Sequence, residues 1–360
     1  MSVPGGSGIR PRDARIDAFK GLLVVAMVYC HVLQFFGDAS LFAAENTLTL
    51  WINMTAFSGF AFAFGWSVSV AYLDKPYLKA APRVAASCAR SYGAFVVSGV
   101  AFRLLYEHKP FARNTARAVF LLRDIPGWSE FLAAFLVYGL AVLALFVPLK
   151  RMRESPKAAA AAACACLAVC FAPIKSFNIP YINLLVGGGN STLFPAVQYA
   201  PYFIAGLVFP GLEKAKRTRV LLAAAAAASV VGGVLWLLTG EPGRFPPDVG
   251  WILTPAAVIA SLALLAAVMA KLMQPCRFAA LNPARAISSL GRNSLYHLIV
   301  TNIVLFTLGG QKIAPWLNTK AWFLWSEPIQ SPLGALCWTI VLLAGSAFAA
   351  GLARPSRRLP

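Results

Sequence analysis

The sequence predicts an all-α protein: a polytopic membrane helix bundle of about ten transmembrane helices, with both termini in the cytoplasm. The chain has 360 residues, of which 59% are hydrophobic and only 12% are charged. Its mean hydropathy of +0.68 lies above the range of ordinary soluble domains. Apolar runs of about 20 residues, the length that crosses a bilayer, recur from one end of the chain to the other.

Ten apolar runs are candidate spans, and the basic residues between them indicate their orientation. The runs lie at residues 19–37, 48–73, 87–106, 129–149, 158–173, 195–212, 219–239, 250–271, 287–309 and 333–353. With the N-terminus in the cytoplasm, 23 Lys and Arg residues fall on the cytoplasmic side and eight on the outer side, while Arg103 lies within the third run. Because cytoplasmic loops carry the excess of Lys and Arg, this bias supports ten spans and two cytoplasmic termini.

The same pattern divides the chain into a basic cytoplasmic leader at residues 1–18, one transmembrane domain at residues 19–353 and a basic cytoplasmic tail at residues 354–360. A net charge of +19 would suggest nucleic acid as the partner of a soluble protein. Here topology and anionic lipid explain the basic clusters, so we expect membrane lipid and no nucleic acid as partners. Cys164 and Cys166 point away from each other on a helix and suggest neither a disulfide nor a metal site.

The loop at residues 106–130 departs from the charge bias, because four basic residues lie there on the predicted outer side. Within it, the stretch ARAVFLLR predicts a short amphipathic helix at the membrane interface. Two interpretations remain open at this point. The basic residues either anchor the loop at the interface or face an acidic or phosphate-bearing substrate.

The first apolar helix, RIDAFKGLLVVAMVYCHVLQFF at residues 15–36, carries ionisable residues on one face. Lys20 and His31 are eleven residues apart, which is close to three turns and roughly 16 Å along the axis. Asp17 lies near the same stripe. Ionisable groups inside a membrane are costly, and they normally face a bundle interior or a water-filled cavity. His31 is therefore a candidate general base, or a hydrogen-bonding partner of another helix, and Lys20 either binds a ligand or only fixes topology.

The stretch RIDAFKGLLVVAMVYCH resembles the first-helix motif of the acyltransferase-3 membrane proteins. Those proteins begin with Arg-x-Asp-x-x-Arg-Gly and carry a His eleven residues after the second basic residue, and Lys20 stands here where Arg is usual. The second helix is similar through Ser58, Gly59 and Phe60. Arg83 and Arg90 resemble the cytoplasmic arginines that open the third helix. GWSEFLAAFLVYGL and LGRNSLYHLIVTNIVLF are similar to later helices of the family.

The resemblance implies a membrane O-acyltransferase of the bacterial inner membrane. Such an enzyme moves an acyl group, expected to be acetyl, from cytoplasmic acyl-coenzyme A to a hydroxyl of a glycan or glycolipid at the outer side. Arg15, Lys20, Arg83 and Arg90 would hold the phosphates of acetyl-CoA or another acyl-CoA co-substrate, and no metal is expected. His31 would act as the catalytic base.

Further residues are assigned supporting roles. The candidate oxyanion donors are Asn53, Ser58, Tyr296 and Asn302. Glu130 and Asp38 are candidates to orient His31, although capping or solvated roles suit them as well. Asp17 is expected to pair with Arg15, Lys20 or another cytoplasmic arginine, and His297 receives no catalytic role.

Two other functions remain open on the sequence. An ionisable face within ten helices also suits a transporter or flippase of a lipid-linked or polar solute. The third alternative is a non-enzymatic member of a polysaccharide export complex. Homo-oligomers and polysaccharide-assembly proteins are the further partners to be tested.

Overall fold

The computed structural model describes residues 13–37, 45–109, 113–170, 179–187, 194–212, 214–240, 250–273, 283–309 and 331–352. Within these ranges every regular element is helical and no β-strand occurs, which confirms the predicted all-α class. Residues 1–12 of the leader and the tail at residues 354–360 lie outside the described residues, as does Asp38.

Fourteen α-helices make up the described part of the chain. In chain order they are α1 Ala14–Phe36, α2 Glu45–Ala71, α3 Tyr77–Ala101, α4 Arg113–Phe120, α5 Glu130–Ala144, α6 Phe146–Glu154, α7 Pro156–Cys170, α8 Pro180–Val186, α9 Ala196–Val208, α10 Lys214–Thr239, α11 Gly250–Leu272, α12 Pro283–Arg292, α13 Ser294–Gly309 and α14 Pro332–Leu352. A π-helical segment, Phe102–Tyr106, continues α3. Helix α4 includes the first five residues of the amphipathic stretch in the loop at residues 106–130, which confirms a helix there, but it ends at Phe120 and the last three residues of the stretch form a turn.

Among the described residues, five helices are long and apolar enough to cross a membrane: α1, α2, α3 with its π-helical segment, α11 and α14. Helices α5 and α6 make a sixth if they count as one span, although they meet at an angle of 88°. Helices α7 and α13 are apolar but shorter. The protein is a multi-pass membrane protein, whereas the ten spans and the cytoplasmic termini stay predictions.

Three of the apolar runs are broken or shortened in the described helices. Each of the ten apolar runs overlaps a helix, but the run at residues 129–149 breaks at Leu145, whose backbone leaves the helical region. The run at residues 287–309 divides at Asn293 into α12 and α13. Helix α9 has only 13 residues because it starts after Pro195 and gives way to a 3-10 turn at Phe209–Gly211. Hydropathy does not detect the break at Leu145, because this residue is apolar, whereas the division at Asn293 falls in the polar stretch Gly-Arg-Asn-Ser.

Helix α1 lies at the centre of the bundle and packs against α2, α11, α12, α13 and α14. Helix α2 runs antiparallel to it, since Cys30 of α1 lies beside Thr49 near the start of α2, while Phe19 contacts Trp66 near the end of α2. Helix α13 runs in the same direction as α1, and its last turns lie beside Phe35. Every polar group that points inward from α1 therefore has to find its partner on one of these neighbours.

Two glycines let α1 and α12 approach until their backbones touch. A Cβ built on Gly21 would lie 1.9 Å from the carbonyl oxygen of Ile287, and a Cβ built on Gly291 would lie 1.7 Å from the carbonyl oxygen of Asp17. Small residues at such crossings are the usual means by which membrane helices pack closely. The contact holds α12 directly against the first turns of α1, where the ionisable residues lie.

Candidate active site

The His31 side chain is enclosed within the bundle at the level of the fifth turn of α1. It is 4% exposed, and its Nδ1 lies 2.8 Å from the Oδ1 of Asn302 on α13. Asn302 is itself 1% exposed. The two residues are 271 positions apart in the chain, and the parallel packing of α13 on α1 brings them together.

The orientation of the Asn302 amide determines which nitrogen of His31 carries the proton. The Nδ2 of Asn302 donates to the carbonyl oxygen of Trp128 at 3.5 Å, so its Oδ1 faces the imidazole. An amide oxygen only accepts hydrogen bonds, and Nδ1 of His31 must therefore be the donor. The lone pair is left on Nε2, which makes that atom the one able to take a proton.

Trp128 contacts the same pair of residues and belongs to the site, although the sequence analysis gave it no role. Its ring meets the His31 ring edge to face at a centroid distance of 5.0 Å. Its φ of 67° places the backbone in the left-handed region, which a bulky residue seldom adopts. The stretch GWSEFL at this position contributed to the family resemblance, and it was the only sequence signal for Trp128.

Aromatic side chains surround the end of α1 beyond His31. We call this group the aromatic cluster. Its members are Phe35, Phe102, Tyr106, Trp128 and Phe306, joined by ring contacts with centroid distances between 4.7 and 5.8 Å. Through Trp128, the cluster places aromatic rings directly beside the His31 imidazole.

At the other end of α1 the ionisable residues form close pairs, and we call Asp13, Arg15, Asp17 and Lys20 the basic end. Arg15 donates to both carboxylate oxygens of Asp13, at 2.9 and 2.8 Å. Asp17 is 2% exposed and lies 3.5 Å from the Nε of Arg292, at the end of α12. Asp17 therefore pairs with an arginine of the predicted cytoplasmic side, and Lys20 is half-buried one turn further along α1.

Trp66 adds a donor to the basic end that the sequence did not suggest. The guanidinium of Arg15 lies over its ring, with 5.9 Å from Cζ to the ring centroid. The indole is 2% exposed, and its Nε1 has no hydrogen-bond partner among the described residues. A buried N–H without a partner is costly, which makes this atom a candidate contact for a bound ligand.

Arg83 and Arg90 lie on α3, apart from the pairs at the basic end. Both are exposed, and their spacing of seven residues places them on one face of the helix. Arg90 donates from Nε to the carbonyl oxygen of Ala86 at 3.2 Å. Within the described residues neither arginine forms an ion pair, so both charges are available to an anion.

Within the described residues, no hydrogen bond, ion pair or ring contact joins the other supporting residues to His31. Ser58 is fully buried and donates to the carbonyl oxygen of Met54 at 2.6 Å, and Asn53 is half-buried on α2. The Tyr296 ring lies 5.5 Å from the ring of its neighbour His297. Glu130 is buried at the start of α5, directly after the loop that carries Trp128. Of the residues assigned supporting roles, Asn302 is the one that the structure brings to His31.

Comparison with known protein families gives one finding that covers nearly the whole chain. A family model described as an acyltransferase domain matches residues 13–351. No curated protein matches the chain. The matched region includes α1 with His31, α13 with Asn302 and the loop with Trp128. The chain therefore belongs to the acyltransferase-3 family, whose activity is acyl transfer at a membrane.

Proposed function

We propose that the protein is an O-acyltransferase that takes an acyl group, most simply acetyl, from cytoplasmic acyl-coenzyme A. The acceptor is a hydroxyl of a glycan or glycolipid at the outer side of a bacterial inner membrane. The observation that carries the proposal is the buried His31–Asn302 pair, which leaves Nε2 of His31 as a base. A base that is oriented by a third group is the arrangement that activates a hydroxyl.

In the proposed reaction the acceptor hydroxyl lies at Nε2 of His31. As the hydroxyl oxygen attacks the thioester carbonyl, Nε2 takes its proton and the C–O bond forms. The C–S bond then breaks, and the imidazolium returns the proton to the departing thiolate. Asn302 keeps its bond to Nδ1 throughout and stabilises the charged ring.

The basic end and α3 supply the charges that suit the nucleotide part of a donor. Lys20, Arg83, Arg90 and the partly exposed Arg15 are expected to bind its phosphates. The extended, uncharged arm of coenzyme A would then lie along the roughly 16 Å of α1 between Lys20 and His31. The candidate oxyanion donors are Asn53, Ser58, Tyr296 and Asn302. The bond of Ser58 to the Met54 carbonyl counts against Ser58, and the contacts of the Asn302 amide with His31 and Trp128 count against Asn302.

Lys20→Ala and Arg90→Ala are each expected to weaken the binding of acetyl-CoA by about tenfold, the loss typical of one charge-assisted hydrogen bond. The measurement is isothermal titration of the purified protein in nanodiscs. Lys150→Ala is the matched control, because Lys150 is an exposed basic residue of α6 on the predicted cytoplasmic side. Absence of saturable binding in the wild-type protein would favour a transporter, which has no reason to bind this donor.

Asn302→Leu is expected to lower kcat by about 100-fold, since the base loses the group that selects its tautomer. Asn302→Asp keeps an oxygen acceptor for Nδ1 of His31 and is expected to retain far more activity. The rate is measured as transfer of labelled acetyl groups from acetyl-CoA into the glycans and lipids of isolated membranes. Equal rates for the two variants would show that the Nδ1 contact has no part in catalysis.

A further inference from the structure

The turn at residues 121–129, which we call the Trp128 turn, joins α4 to α5 and reaches His31 and Asn302 from outside the bundle core. Its backbone is unusual, because both Leu122 and Trp128 have positive φ values, of 54° and 67°. Neither side chain favours this region, so the surrounding structure must hold the turn in place. The contacts that hold it therefore decide where the Trp128 carbonyl and ring lie.

Helix α3 and its π-helical continuation hold the turn at two buried or partly buried points. Ser129 donates from Oγ to the Oγ of Ser98 at 2.8 Å, and both side chains are fully buried. Arg103 binds both carboxylate oxygens of Asp124, from Nε at 2.9 Å and from a terminal nitrogen at 2.5 Å. The second contact fixes the turn four residues before Trp128 with a planar, bidentate ion pair, a geometry that sets orientation as well as distance.

Arg103 lies in the π-helical segment Phe102–Tyr106. Such segments are rare, and they occur frequently at functional sites. Arg103 also pairs with Glu107, and its guanidinium lies over the ring of Phe102 in the aromatic cluster. One side chain thus joins the Trp128 turn to the aromatic cluster on the same side of His31.

We propose that Arg103 is a positioning residue for the base. Its ion pair with Asp124 holds the Trp128 turn in the conformation in which the Trp128 carbonyl binds the Asn302 amide, and the amide in turn selects the tautomer of His31. The inference rests on the proposed function, since it gives Arg103 a role in the same site. It does not require Arg103 to touch either substrate.

A purely structural role explains these observations less well. The side chains of Arg103 and Asp124 are 14% and 29% exposed, and partly exposed ion pairs add little to folding stability. Catalysis is far more sensitive than stability to small displacements, because a shift of about 1 Å in a catalytic group costs as much as 100-fold in rate. Loss of the Arg103–Asp124 ion pair should therefore lower the reaction rate more strongly than it lowers folding stability.

The kinetic test compares Arg103→Lys and Asp124→Asn with Arg123→Gln, the control at the exposed arginine next to Asp124. Both single variants are expected to lower kcat by at least about tenfold, with the KM for acetyl-CoA and the melting temperature unchanged. The charge-exchanged double variant Arg103→Asp/Asp124→Arg is expected to recover part of the rate. Wild-type kcat in both single variants would overturn the proposal.

A second measurement does not depend on activity. The chain contains three His residues, so selective ¹⁵N-histidine labelling gives three imidazole rings, and His31→Ala identifies the signals of His31. In the wild-type protein these signals are expected to show a single tautomer with the proton on Nδ1. In Arg103→Lys and Asp124→Asn they are expected to move toward a mixture of tautomers. Unchanged His31 signals would refute the positioning role, even if kcat falls.

The two proposals can fail separately. Wild-type acyl transfer by His31→Ala would remove His31 as the base, and the nuclear magnetic resonance signals would still decide whether Arg103 controls its tautomer. Conversely, the His31→Ala variant could be inactive while the Arg103→Lys and Asp124→Asn variants are fully active. The proposed acyltransferase function would then stand, and the positioning role of Arg103 would fail. That result would assign Arg103 only to the packing of the turn.

Discussion

His31→Ala is expected to lower the rate of acyl transfer by about 1,000-fold, within the range that a general base contributes. The variant removes the Nε2 lone pair and leaves the basic end of α1, three turns away, unchanged. The affinity for acetyl-CoA should therefore stay at its wild-type value while kcat falls. Both quantities are measurable on the purified protein, by titration and by incorporation of labelled acetyl groups in reconstituted membranes.

The matched control for this variant is His297→Asn. His297 is also a buried histidine of the bundle, but its Nδ1 binds the Oγ of Ser346 on α14 at 2.9 Å. Asn keeps a polar atom near the position of Nδ1, and the rate should remain within about twofold of wild type, because His297 binds Ser346 on α14 and not the His31–Asn302 pair. If His31→Ala transfers acetyl groups as fast as His297→Asn, His31 is not the base.

Gly291→Ala is expected to destabilise the protein by about 3 kcal/mol, the upper part of the range for overpacking a well-packed contact. The added Cβ would lie 1.7 Å from the backbone carbonyl oxygen of Asp17, and no side-chain rotation relieves a clash between backbones. Helices α1 and α12 would have to separate, which also pulls Arg292 away from Asp17. The measurement is thermal unfolding in detergent, followed by circular dichroism.

Gly345→Ala on α14 is the control, because a Cβ at that position meets no atom within 4 Å. Alanine in an open helical position is expected to raise stability by about 0.5 kcal/mol through the unfolded state. A melting temperature of Gly291→Ala equal to that of Gly345→Ala would show that α1 and α12 do not cross as closely as the structure indicates.

The sequence predicts the relative position of two side chains best when both lie on the same helix. The spacing of Lys20 and His31 places both on one face of α1, and this needs only the 3.6-residue period. The partner of His31 could not be obtained in the same way. Asn302 lies 271 residues away, and its alignment with His31 depends on the packing of α13, which no local pattern encodes. The sequence made Asn302 one of four candidate oxyanion donors, whereas in the structure its amide oxygen binds the His31 imidazole.

The number of membrane-spanning helices was also difficult to predict from the sequence. Each of the ten predicted apolar runs overlaps a helix, but apolar length did not detect the 88° bend between α5 and α6 or the division at Asn293. Backbone angles at Leu145 and Asn293 depend on the neighbours of each helix rather than on hydropathy. The ion pair of Arg103 with Asp124 could not be predicted either, because the two residues are 21 positions apart and Arg103 lies in a π-helical segment that hydropathy does not indicate.

Helix α1 is unbroken between Lys20 and His31 and is enclosed by five neighbouring helices. The distance between Lys20 and His31 along the helix axis is therefore fixed. A donor that is anchored at Lys20 delivers its carbonyl to His31 only if the two groups are separated by about 16 Å. For a donor held in this way, we expect the aromatic cluster beside His31 to restrict the length of the acyl chain.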